Sequence, residues 1–390
     1  MKLFKSLLVA PAALGLLTSL PGNTSEVNLN EISNYSDIES IDFANSFNNE
    51  DSDIDPLLAG GEGLVETSSH DGGFSETTTA SFSADMMLGS LTNDSLVEGG
   101  EAMAGYSFQI DLNTSFTGED SLDVSIDAGN AGGNAVAEFD GNSGGDALTV
   151  DGVSYTFPLG DSTTVMFGDN TDGSALFTTA CVYGGPSNTL DDCGNVNAGI
   201  TNGGAMAGAA YDFGNGFTIA TGWAGPETSL ATDESNDAYG VNGAYTGDNY
   251  GISITYGVVE TGVSEEDTFT AFNGYYSPEG AGLPSISVGY EVGEDDSVTG
   301  ADDELTSFFL GLTWDEVGPG SAGLAMGTKT PTVEGTDEAY MYEAYYSYPL
   351  NDGITITPLV YIKEFTETRP HHDDSYDDET GVMVKTSFSF

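Results

Sequence analysis

Along EAMAGYSFQIDLN, residues 101–113, apolar and polar side chains change places at every step. Ala102, Ala104, Tyr106, Phe108, Ile110 and Leu112 share one parity; Met103, Gly105, Ser107, Gln109, Asp111 and Asn113 share the other. A period of two belongs to a strand with two different faces, and a helix cannot carry it. DSLDVSIDAG repeats the pattern, with Leu122, Val124, Ile126 and Ala128 set against Asp123, Ser125 and Asp127. VSYTFPLGDSTTVMFG reads as a hairpin, Val153, Tyr155 and Phe157 meeting Val165 and Phe167 across the LGDS turn. Five more hairpins follow: AAYDFGNGFTIATGW, YGVNGAYTGDNYGISITYG, FNGYYSPEGAGLPSISVGYEV, SFFLGLTWDEVGPGSAGLAMG and AYMYEAYYSYPLNDGITITPLVYI. With SFSADMMLG before them and GVMVKTSFSF after, the count reaches sixteen strands.

The connections alternate in length. Residues 114–120, 159–162, 214–216, 246–249, 277–284, 315–320 and 350–353 are short; 91–100, 130–146, 169–203, 224–237, 259–267, 293–304, 329–338 and 364–379 are long. Tight turns at one end and long loops at the other describe an all-β transmembrane antiparallel barrel, with short periplasmic turns and long external loops. A soluble sandwich alternates too, but has no reason to sort its loops by length. Lipid offers no hydrogen bonds, so a β protein spans it only as a closed barrel. Aromatics such as Tyr155, Phe157, Tyr211, Phe213, Trp223 and Trp314 fall near strand ends, as interfacial girdles require. The competing reading is an exported acidic surface protein, adhesin-like, that forms no channel.

MKLFKSLLVAPAALGLL places Lys2 and Lys5 before a short apolar run, the form of a cleaved export signal over residues 1–25. Residues 26–74 are acidic without a sustained period and read as a periplasmic arm; the barrel domain is expected over 75–390. Against 63 Asp and Glu there are 6 Lys and Arg, for a net charge of −57, and none of the six lies between Lys5 and Lys329. Nucleic acid is excluded as a partner, because nothing could neutralise its phosphates. Cys181 and Cys193, in an oxidising compartment and without a C-x-x-C spacing, read as a structural disulfide.

The leader, FSETTTASFSADMMLG, the hairpin VDGVSYTFPLGDSTTVMFG and the ending VKTSFSF resemble cyanobacterial outer-membrane porins, a group related to the carbohydrate-selective porins. The resemblance covers the leader and about residues 75–390. It implies an outer-membrane barrel of sixteen strands, a homotrimer, and passive passage of small solutes, with some relatives described as iron-uptake porins preferring inorganic ions. The chain departs from that group in two respects. Residues 26–74 are too short for an S-layer-homology domain with a coiled coil, and Lys and Arg are nearly absent.

No enzyme motif is present. His70, His371 and His372 pair with no nucleophile, and the glycine-rich patches GNAGGNA and GNSGGD lack the Lys of a phosphate loop and read as flexible. No cofactor is expected, and no specific metal site, although RPHHDDSYDDE gathers ligand types; loosely held divalent cations suit the acidic loops. The carboxylates carry the functional signal. Asp85, Asp111, Asp123, Asp127 and Glu343 fall on the polar face of their strands, and negative walls around a narrow aqueous path concentrate cations. By analogy with general porins the third long loop, residues 169–203, folds inward, the alternative being a loop that lies over the mouth; folded inward, it makes Asp169, Asp172, Asp191 and Asp192 constriction candidates with Asp111 and Glu343 from the wall. Val382, Val384, Thr386, Phe388 and Phe390 alternate to the last residue, so Phe390 reads both as a girdle aromatic and as a signal to the outer-membrane assembly machinery.

Overall fold

Every long alternating run of the sequence lies in a strand of one closed sheet. The computed structural model describes residues 77–92, 102–131, 134–201, 203–230, 232, 236–262, 265–280, 282–294, 304–364 and 378–390. The export signal, the arm, His70, Arg369, His371 and His372 lie outside the described residues.

The strands in chain order are β1 (Thr78–Thr92), β2 (Ala102–Thr114), β3 (Ser121–Gly129), β4 (Gly145–Pro158), β5 (Thr163–Asp169) and β6 (Ala205–Asp212). Then come β7 (Phe217–Gly225), β8 (Ala238–Thr246), β9 (Tyr250–Gly262), β10 (Glu265–Tyr276), β11 (Ser285–Glu294) and β12 (Glu304–Val317). The last are β13 (Gly320–Thr328), β14 (Thr332–Val333), β15 (Tyr340–Asn351), β16 (Ile354–Lys363) and β17 (Glu379–Ser389). Sixteen of them form the wall; β14 is a two-residue extension bonded to the outer end of β12. Neighbours in sequence pair antiparallel, and β1 pairs with both β2 and β17, so no edge is left open. Closure removes the unpaired backbone that neither lipid nor a soluble neighbour could satisfy.

The pleat sorts the side chains. Met86, Leu88, Phe167, Ile219, Ile252, Ile254 and Phe272 are exposed on the outward parity. Their strand neighbours Met87, Ala220, Ser253, Thr255, Ala271 and Asn273 point into the barrel and are buried. Aromatic rings band the short-turn end: Tyr155 lies 5.6 Å from both Phe157 and Phe167, Tyr211 lies 4.8 Å from Phe213, and Phe217 lies 4.6 Å from Tyr245. One short turn is locked by its own carboxylate. Tyr155 Oη donates to Asp120 at 2.6 Å, and the Phe116 and Thr117 amides donate at 2.9 and 2.7 Å. The Tyr155 hydroxyl foremost, with the Thr117 and Ser115 donors, holds that carboxyl well below the usual carboxylate range.

The β9–β10 connection differs from expectation. Residues 259–267 read as a long loop, yet β9 runs to Gly262 and β10 starts at Glu265, with Glu260 opposite Glu266 and Val259 opposite Asp267. Acidic side chains mark where a strand leaves the apolar layer, not where it ends, because ladder bonds continue in water. The 130–144 connection also differs. Between its glycine-rich patches, Asn134–Phe139 forms a short 3-10 helix.

Candidate functional site

Two long connections turn into the barrel and meet there. The third, residues 170–204, is hydrogen-bonded to one stave after another. Thr178 N–H donates to Asn242 Oδ1 on β8 at 2.9 Å, and Ala180 N–H to Ser253 Oγ on β9 at 2.9 Å. Val182 N–H donates to Ser287 Oγ on β11 at 3.0 Å, and Tyr183 Oη donates to Glu343 on β15. On the return, Asn273 Nδ2 of β10 donates to the Cys193 carbonyl at 2.9 Å. Glu291 of β11 then accepts from Asn197 N–H, Asn197 Nδ2 and Ala198 N–H at 2.8–2.9 Å. Small polar residues on inward positions thus supply the partners that the loop backbone needs away from bulk water. Glycine lets it lie close: a Cβ at Gly222 would sit 1.8 Å from the Gly173 carbonyl oxygen, and one at Gly289 1.7 Å from that of Cys193. The Cys181–Cys193 disulfide ties the outgoing and returning arms, Cα to Cα 6.5 Å.

The described residues 134–144 of the second connection fill the space between this loop and the β16–β17–β1 wall. Val136 and Phe139 of its 3-10 helix share one apolar cluster with Met87 of β1, Tyr183 and Leu190 of the third connection, and Leu359, Tyr361 and Met383 of β16 and β17. Lys363 of β16 forms an ion pair with Glu138, and Lys385 of β17 places its Nζ 5.5 Å from the Phe139 ring centre. Glu138 links the two connections, accepting Asn188 N–H on its carbonyl at 3.0 Å and Thr189 Oγ1 on its carboxylate at 3.2 Å.

The wall of β2, β3 and β4 carries carboxylates instead. Asp111 accepts from Gln109 Nε2 and Ser125 Oγ, each at 2.8 Å. Asp123 accepts from Asn113 Nδ2 at 2.6 Å and Ser121 Oγ at 2.7 Å, and Asp127 from Thr149 Oγ1 at 3.0 Å. Asp85 lies on the inward parity of β1, opposite Ser107 and Ser387. These neutral donors orient the acids without cancelling their charge.

The remaining sequence candidates divide. Asp172, Asp191 and Asp192 belong to the inward-folded third connection. Asp191 and Asp192 show surface to solvent, yet the surrounding protein displaces bulk water around them. That loss of solvation pushes Asp191 up to about 7, reinforced by Asp192 and Asp140, and Asp192 up to about 6, reinforced by Glu291 and Asp140. Asp172 is raised by the same cause and by Asp151. Glu343 is 5% exposed and bonded to Tyr183, so it anchors the third connection rather than facing the open path. Asp169 shares the parity of the outward-facing Phe167 and lies opposite Val153, on the outer face of the wall. The reason is the pleat: one step past Gly168, the last inward position of β5, the chain points out. Sequence reasoning missed Glu138, Glu291 and Lys363. Only AVAEF, an apolar run between glycine patches, signalled that the second connection had something to bury. Among the described residues no three His, Cys, Asp or Glu side chains are placed to hold a metal ion.

No protein-family model matches the chain, and no curated protein matches it in sequence. Solved structures do. An anion-selective porin from Comamonas acidovorans matches with a TM-score of 0.59 and 14% identity, over 80% of this chain and 99% of that one. Pseudomonas putida OprB matches with a TM-score of 0.56 and 12% identity, over 80% and 94%. An engineered variant of Rh. blastica porin matches with a TM-score of 0.53 and 12% identity, over 80% and 100%. At such identities the likeness shows the fold: this chain has the sixteen-stranded barrel of the porins.

Proposed function

We propose that the chain is an outer-membrane porin that passes small hydrophilic solutes passively and favours inorganic cations. Its exposed outward face of Met86, Leu88, Ile252, Ile254 and Phe272 suits lipid and would be a liability in water, which weighs against a soluble surface protein. The observation that carries the cation preference is an imbalance inside the barrel. Asp85, Asp111, Asp123 and Asp127 face inward, whereas the two lysines described on the inward face, Lys363 and Lys385, are engaged by the 3-10 helix. A negative wall without an opposing positive one raises local cation concentration and repels anions. One structural neighbour is named an anion-selective porin; on the present reading the lining charge gives the same barrel the opposite preference. The same reading includes a cleaved export signal, a homotrimer, insertion by the outer-membrane assembly machinery, and divalent ions held loosely by the external acids. It also places the chain near the carbohydrate-selective porins of cyanobacteria. Reversal potential in a planar bilayer under a tenfold KCl gradient is the test. A potential of the sign for K⁺ over Cl⁻ is expected; a Cl⁻ potential, or no conductance from folded protein, overturns the reading.

A further inference from the structure

The four Lys and Arg of residues 26–390 are Lys329, Lys363, Arg369 and Lys385, and Lys363 and Lys385 face the lumen from neighbouring strands. Both reach the same six-residue 3-10 helix. Lys363, on the last rung of β16, pairs with Glu138; their side chains are 15% and 9% exposed. Lys385 stands over the ring of the next residue, Phe139. A 3-10 helix this short has little stability of its own and must be held from outside. Its apolar side, Val136 and Phe139, packs with Met87, and Asn142 just beyond it is tied to β2 through Ser107 Oγ and the Phe108 carbonyl, but neither contact holds the helix against the β16–β17 wall. A partly buried ion pair and a cation over a ring are directional, and gain strength where water is scarce. The contact is passed on, because Glu138 also holds Asn188 and Thr189 of the third connection.

We propose that Lys363 and Lys385 are positioning residues that clamp the 130–144 connection inside the barrel through Glu138 and Phe139, and that this clamp sets the size limit of the pore. The proposal rests on the channel reading for its pore, but not for the clamp. Neutralising the lysines releases the helix from the β16–β17 wall, frees Asn188 and Thr189, and widens the path.

The test is Lys363→Gln with Lys385→Gln, and Lys363→Arg as the conservative control, each shown to be folded by heat-modifiable gel mobility. Single-channel conductance is measured in 1 M KCl, where a Debye length of about 3 Å screens the change in wall charge. A graded series of polyethylene glycols then gives the size limit. The double variant should conduct roughly 1.5- to 2-fold more and admit larger polymers, while Lys363→Arg stays at the wild-type value. A folded, conducting double variant with the wild-type size limit overturns the proposal. Hydrogen exchange at the 136–139 amides of the double variant gives a second readout that needs no current. Faster exchange there is expected, and unchanged protection overturns the clamp. Failure of the wild type to conduct would count against the channel reading alone.

Discussion

At the scale of single residues, the acids inside the barrel fall into two kinds that no local pattern separates. Asp111, Asp123 and Asp127 face the lumen and are steered by Gln, Asn, Ser and Thr donors. Glu291 and Glu343 are buried and occupied with the third connection. Asp191 and Asp192 titrate near neutrality, because enclosure foremost raises them to about 7 and about 6, with Asp192 and Asp140 adding to the first and Glu291 and Asp140 to the second. A raised carboxyl stays neutral until the pH passes its own value, so these two become anionic only between about pH 5 and 8. The K⁺ over Cl⁻ permeability ratio should therefore climb by about 2- to 3-fold across that window. Asp191→Asn with Asp192→Asn should flatten the climb and leave the ratio near its acid-side value. A wild-type profile level from pH 5 to 8 would remove these two acids from the ion path.

At the scale of elements, the third connection is held as an inner layer by bonds spread over β8, β9, β10, β11 and β15. Its disulfide spans only 12 positions, so it stiffens the two arms locally, while the wall bonds determine where the loop lies. Glu291 is the densest of those anchors, taking three donors from Asn197 and Ala198. Glu291→Ala would strand them in a site with little water, at a cost of about 3 kcal/mol. Amide exchange at Asn197 and Ala198 should then accelerate by roughly two orders of magnitude. The amides of β9 and β11 should keep their wild-type protection. Equal acceleration throughout the barrel would mean that Glu291 supports the wall and not the loop.

At the scale of the molecule, the closing seam depends on the last rung. Phe390 N–H and C=O exchange bonds with Phe82 at 3.0 Å each, and the two rings stack at 5.8 Å. Removing Phe390 deletes two ladder bonds and an aromatic pair, together about 2 kcal/mol, from the rung where the first and last strands meet. The deletion should reduce the heat-modifiable fraction after refolding into detergent, and lower the amount inserted in cells while export continues. Full insertion of the shortened chain would argue against Phe390 both as a closing residue and as an assembly signal.

The barrel was legible in the sequence because alternation is a local property: each strand's two faces are written at consecutive positions, and tight turns confine the register of its partner. The strand count, the outward apolar parity and the lumenal parity of Asp85, Asp111, Asp123, Asp127 and Glu343 follow from that. Asp169 shows how narrow the margin is, since one step along a pleat exchanges lumen for exterior. What fills the barrel was not legible. Asn188 meets Glu138, Tyr183 meets Glu343, and Lys363 meets Glu138 across separations of 50, 160 and 225 residues, contacts that exist only once closure brings remote staves together. Sequence by itself determined a closed, acidic barrel with an outward apolar face. Tertiary structure alone decided which acids remain open to the lumen and which hold the loops, because that depends on what lies across the lumen from each of them.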